Sequence, residues 1–158
     1  MPENIKIRSL QKEDDSAQLV KLFQQLIRQE VKFSVEQALK VPNLHCYVAD
    51  NQGEIVGFAA LTLRFVPTKG YVGVIEDVVV DEKHRRKGLG TRLLEKIFNK
   101  ANELSKELNI VAIELTSNKN REAARKLYRK IGFELLDTGV FRRKLFSDKN
   151  NELNRKCR

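Results

Sequence analysis

Residues 75–91 read Ile-Glu-Asp-Val-Val-Val-Asp-Glu-Lys-His-Arg-Arg-Lys-Gly-Leu-Gly-Thr. An apolar strand runs into a charged turn, then a basic loop with spaced glycines, then the start of a long amphipathic helix. That order of parts builds an anion site. The first N–H groups of a helix have no intrahelical partner and carry the positive end of its macrodipole. Gly88 and Gly90 have no side chains, so a phosphate can approach those N–H groups closely. Arg85, Arg86 and Lys87 add positive charge around the same point. A diphosphate is the natural guest. The loop has neither the Gly-Lys-Ser/Thr of a P-loop nor the third glycine of a dinucleotide fingerprint.

At 158 residues one domain is expected, able to bury about two-thirds of its unfolded surface. An apolar content of 41% fits a globular chain rather than a disordered one. No apolar run approaches the roughly 18 residues that span a bilayer. The first residues, Met1 to Asn4, lack a signal-peptide pattern, so a cytoplasmic location is expected. Cys46 and Cys157 are too few for a disulfide framework, and His45 and His84 show no metal-ligand spacing, so no metal is expected. The net charge is +9, but residues 142–158 hold seven Lys/Arg and two Asp/Glu, a local excess of five. Such a tail reads as solvated, and no stacking aromatics or nucleic-acid motif accompany it. No nucleic acid or membrane partner is expected.

The periodicities give an order of elements. Residues 5–8 alternate as a strand. Asp14, Asp15 and Ser16 can cap a helix whose apolar positions are Leu19, Val20, Phe23, Leu26 and Ile27. Ser34 and Gln37 resemble a capping box opening a short helix that closes before Pro42. Residues 45–49 and 55–63 form a hairpin about the turn 50–53, and 71–80 is the longest strand. Leu89 to Leu104 is the best helix, with Leu89, Leu93, Ile97, Ala101 and Leu104 in one stripe. A strand over 110–115 and a helix over 121–131 follow, the latter closed by Gly132. Residues 133–136 and 141–146 are expected to form a terminal strand pair, and 147–158 a polar basic tail.

The spacing Arg85-x-x-Gly88-x-Gly90, between a strand and a helix, resembles the acetyl-CoA signature of the GNAT N-acetyltransferase superfamily. The order β-α-α-β-β-β-α-β-α-β-β resembles the topology of that family over residues 4–146. The resemblance implies an α/β (α+β) fold: a mixed central sheet of about seven strands flanked by four helices, with one acetyltransferase domain over 1–146. It implies acetyl-CoA as co-substrate and transfer of its acetyl group to a primary amine by direct attack in a ternary complex. Residues 75–80 look like glucosamine-6-phosphate N-acetyltransferases, whereas Arg121-x-x-Ala124-x-x-x-Tyr128 looks like bacterial small-amine and aminoglycoside acetyltransferases. The acceptor stays open between them.

The same resemblance places the cofactor on Arg85, Arg86, Lys87, Gly88, Leu89, Gly90 and Thr91. It puts the pantetheine arm beside Val78, Val79 and Val80, after a bulge in the fourth strand. Arg121, Ala124, Tyr128 and Gly132-Phe133 match the second signature, whose asparagine is displaced. Either Asn118 or Asn120 reaches the pantetheine amides, Asn118 being favoured by its place at a strand end. Tyr128 is implied as the acid that meets the departing thiolate.

An acceptor amine with a pKa near 10 must lose a proton before it attacks. Glu76 and Asp77 are the candidate bases, since carboxylates in a β-branched strand need a cavity or a partner. Strict alternation sends them to opposite faces, Glu76 with Val74 and Val78, Asp77 with Ile75 and Val79. The family resemblance implies the Glu76 position as the catalytic base, acting directly or through water, and leaves Asp77 a substrate-binding candidate. Two rival functions fit the same residues: a non-catalytic acyl-CoA sensor and a basic nucleic-acid-binding module. An exposed strand edge could support a homodimer.

Overall fold

The structure, a computed structural model, describes residues 4–145. In chain order the elements are β1 (Lys6–Ser9), α1 (Ser16–Phe23), α2 (Val35–Lys40), β2 (Leu44–Asn51), β3 (Glu54–Val66), β4 (Gly70–Val80), α3 (Leu89–Leu104), β5 (Ile110–Leu115) and α4 (Glu122–Lys130). A single 3₁₀ turn, Glu82–His84, links β4 to α3. The strands form one mixed sheet in sequential order, antiparallel from β1 to β4 and parallel between β4 and β5.

Alternation along the strands separates two cores. On one face Val48, Phe58, Ala60 and Val79 meet Leu19, Leu22 and Phe23 of α1 and Val35 of α2. On the other, Tyr47, Leu61 and Ile75 meet Leu93, Leu94, Ile97 and Ala101, the stripe of α3. Leu93 is wholly buried in that second core, so Leu93→Ala should cost about 2–5 kcal/mol. Urea unfolding of the two proteins measures the difference.

The caps follow local chemistry. The Asp15 side chain accepts from Ala17 N–H, and Ser34 Oγ accepts from Gln37 N–H. Asp14 instead holds the Arg8 guanidinium through two bonds of 2.7 and 2.8 Å, and Ser16 Oγ accepts from Val35 N–H. Gly132, at φ +98, ends α4 as its C′ residue: its N–H bonds Arg129 O, and Phe133 N–H reaches back to Tyr128 O. That pair of bonds is a Schellman closure.

Two expectations are corrected. Helix α1 stops at Phe23 rather than reaching Ile27. Past it, the Gln25 side chain is drawn to the β4 exit, donating to Asp81 Oδ1 at 2.8 Å and accepting from Glu82 N–H at 3.0 Å. The sheet has five strands, not seven, because residues 133–145 form none among the described residues. Leu135, Leu136, Val140, Phe141 and Leu145 are 61–98% exposed. A two-stranded hairpin with an uncovered apolar face is marginal in water. Phe146, the tail 147–158 and Cys157 lie outside the described residues.

Candidate active site

The site begins with a fault in β4. Phe58 pairs with Val79 and Ala60 with Glu76, so Ala59 alone faces both Asp77 and Val78. This is a β-bulge, and its extra residue is Asp77, held at φ +52. Left-handed backbone is costly for most side chains but least so for Asn and Asp. The bulge breaks the two-residue alternation. Ile75 belongs to the α3 face, and Val79, four residues on, belongs to the α1 face.

The expectation that Glu76 and Asp77 point apart is therefore corrected. Both line one cavity of about 300 Å³ on the α1 side, together with Phe23, Phe33 and Phe58. Desolvation raises the Glu76 carboxyl above its usual range, and the neighbouring Asp77 charge adds to that rise. Desolvation also raises Asp77, opposed by the Arg121 guanidinium. Two carboxylates that resist ionisation in one cavity are suited to take up a proton. Cys46 lines the same cavity, and burial, aided by Asp77, pushes its thiol up to about 11. Near neutrality it is not a thiolate nucleophile.

Beside the bulge the sheet opens. β4 and β5 pair only from Tyr71 and Ile110 to Ile75 and Leu115. Beyond that point β4 runs on to Val80 with no partner strand on the β5 side among the described residues. Arg121 crosses the opening, its Nη2 donating to Val78 O at 3.1 Å. Ser117 Oγ, just past the end of β5, is buried without a hydrogen-bond partner among the described residues. The gap leads to the N-terminus of α3. There Arg86 and Gly88 have φ of +62 and +74, and no side chain caps the helix. The first backbone bond of α3 runs from Arg92 N–H to Gly88 O, which leaves the N–H groups of Leu89, Gly90 and Thr91 without helical partners.

Gly90 is small for a packing reason: a Cβ there would lie 3.2 Å from Leu127 Cδ2. Gly88 has open space around it and is required for its left-handed backbone. Arg85 Nε donates to Val80 O at 3.0 Å. It ties the loop to the strand end. Leu89 is buried against Ile5, Ala49 and Val56 and serves as an anchor.

Tyr128 is 6% exposed, packed in the α3 core with its ring 6.0 Å from that of Phe133. Burial raises its hydroxyl pKa and Arg121 opposes the rise. Arg121 thus acts electrostatically on both Asp77 and Tyr128. Ala124 packs against the same core. Asn118 is exposed, and its Oδ1 accepts from Asn120 N–H at 3.0 Å, so the two asparagines form one turn. Sequence reasoning missed the hold of Arg121 on Val78 and the bracing of the β4 exit by Gln25. Adjacent acids in an otherwise apolar strand were the available signal for the bulge. Among the described residues, no three His, Cys, Asp or Glu side chains converge as a metal site, and no helix is long and apolar enough to cross a membrane.

A strand bulge, a split sheet and an uncapped helix start are thus the features gathered about the end of β4. The profile of the Acetyltransferase (GNAT) family matches residues 6–133, and the chain belongs to that family. Among curated relatives, it is 30% identical over 94 residues to the aminoalkylphosphonate N-acetyltransferase of Salmonella typhimurium, covering 59% of this chain and 58% of the relative. It is 32% identical over 88 residues to the L-methionine sulfoximine/L-methionine sulfone acetyltransferase of Pseudomonas paraeruginosa, covering 55% of this chain and 48% of that one. The chain thus spans about half the length of the curated relatives it matches. In fold it is similar to glucosamine-6-phosphate N-acetyltransferase from Arabidopsis thaliana, with a TM-score of 0.70, 23% identity and coverage of 92% of this chain and all of that one.

Proposed function

We propose that the chain transfers the acetyl group of acetyl-CoA to a primary amine by direct attack within a ternary complex. The observation that carries this is the split between β4 and β5 running into the uncapped start of α3. The orphaned Ser117 Oγ and the left-handed Arg86 and Gly88 fit an extended anionic carrier. The free N–H groups of Leu89, Gly90 and Thr91, with the charge of Arg86 and Lys87, would hold its diphosphate. The edge of Val78 to Val80 would pair with the pantetheine arm, assisted by the Asn118 amide. A bound acetyl-CoA supplies an activated acyl carbon; the protein's part is to orient, exclude water and move protons.

Glu76 takes the proton of the incoming ammonium, and Asp77, beside it on the bulge, stabilises the cation before that transfer. The N–H of Val79 is the oxyanion donor the family leads one to expect. Tyr128, kept protonated by burial, meets the thiolate. A thiolate is a fair leaving group without help, so Tyr128→Phe should lower kcat only about 10- to 100-fold, at the low end for a general acid. Thiol release followed spectrophotometrically measures it. The relatives acetylate an aminoalkylphosphonate and methionine sulfoximine or sulfone, which supports an amine acceptor here.

Acetyl-CoA at 100 times its dissociation constant should stabilise the fold by about 2.7 kcal/mol. Absence of any thermal shift at millimolar acetyl-CoA defeats the proposal. A shift with no thiol release across a panel of amines would instead favour an acyl-CoA sensor.

A further inference from the structure

We infer that the acceptor is a primary amine carried on an apolar, uncharged body, of the arylalkylamine or alkylamine class, rather than an amine bearing a phosphate, phosphonate or sugar. This rests on the acetyltransferase function proposed above and narrows its second substrate.

The cavity that holds Glu76 and Asp77 is otherwise built to receive hydrocarbon. Phe23, Phe33 and Phe58 meet edge to face, with centroids 4.9 Å apart for Phe23 and Phe58, 5.2 Å for Phe23 and Phe33, and 6.3 Å for Phe33 and Phe58. Leu26 and Val31 extend the same wall. Aromatic rings locked in such T-shaped contacts form a rigid apolar wall whose faces also attract cations. The charged groups lining the space are Glu76, Asp77 and Lys32, a formal balance of one negative charge. Lys32, Glu76 and Asp77 are all exposed residues, so a guest meets the two carboxylates and the one ammonium on an otherwise apolar lining.

Each acceptor class meets this lining differently. An ammonium finds two anions and a ring face. A hydrocarbon tail is buried at about 25 cal/mol per Å². A sugar would bring hydroxyls to a wall whose only strong side-chain donor is Lys32, leaving several unpaired. A phosphate or phosphonate would set its charge against Glu76 and Asp77. The bulge makes the preference strong, because it turns the second carboxylate into the cavity.

In the reaction the bound ammonium yields a proton to Glu76. Its lone pair then forms the N–C bond to the acyl carbon as the C–S bond breaks. The sulfur leaves as thiolate and takes a proton to become the CoA thiol. The amide nitrogen loses its second proton to solvent, so atoms and charge balance.

The test compares kcat/KM for 2-phenylethylamine and hexylamine with that for 2-aminoethylphosphonate and glucosamine 6-phosphate, all at saturating acetyl-CoA. The apolar amines should exceed the anionic ones by about 100-fold or more. Lys32→Ala, at an exposed position that does not threaten folding, should lower KM for the apolar amines about two- to fivefold. An anionic acceptor would respond with a higher KM. Preferred turnover of the phosphonate or sugar phosphate, or a rise in KM on Lys32→Ala, overturns the inference while the acetyltransferase function stands. So does acetyl-CoA binding with no turnover of either apolar amine. Absence of acetyl-CoA binding itself marks failure of the underlying function instead.

Discussion

The double variant Glu76→Gln, Asp77→Asn should lose about 10²- to 10⁴-fold in kcat, the usual contribution of a positioned general base. Either single amide should cost less, because each carboxylate can cover for the other in the shared cavity. The wild-type pH profile carries the same information. Both carboxyls titrate above their usual range, so kcat/KM should fall as pH drops through a window higher than that of free Asp or Glu. The pair will show joint apparent constants rather than one per residue. Stability should move the opposite way. Raised carboxyls favour the fold in their protonated form, and that contribution is present below the unfolded pKa and lost as pH rises through the folded one. At neutral pH the double amide should therefore melt no lower than wild type while being nearly inactive. A double amide that keeps more than half the activity would remove these residues from the chemistry.

Gly88→Glu should weaken acetyl-CoA binding about 100-fold, with Gly88→Ala as its control. Neither change creates a clash, since a Cβ at Gly88 meets nothing within 4 Å. Both are strained by the left-handed backbone at φ +74, at about 1–2 kcal/mol. Only glutamate adds a negative charge beside the helix start, where a few kcal/mol of repulsion acts at close range. The gap between the two variants thus reports the electrostatic part, and it should shrink in high salt. Thermal shifts against acetyl-CoA measure all three proteins. Equal weakening by alanine and glutamate would mean that loop geometry, and not anion binding, explains the glycine.

Much of the framework around this site was legible in the chain, for identifiable reasons. Helix α3 and strand β5 run over the residues that periodicity marks, Leu89–Leu104 and Ile110–Leu115. In α3 the burial pattern and the local propensity agree. Gly132 announced its own Schellman closure, because few other residues tolerate φ +98. The terminal strands were not legible. Residues 133–146 have strand-like alternation, but a strand forms only where a neighbour pairs with it and covers its face, and Leu135, Phe141 and Leu145 have no such cover.

Local spacing determined the basic, glycine-spaced loop, the order of helices and strands, and the membership of the two carboxylates in one strand. Those features depend on neighbours a few residues apart. Tertiary structure alone decided that Asp77 swings to the side of Glu76, that β4 and β5 part after Ile75, and that Arg121 crosses to Val78. Each is a relation between distant segments. A bulge exists only against a partner strand, and that pairing is written in three dimensions.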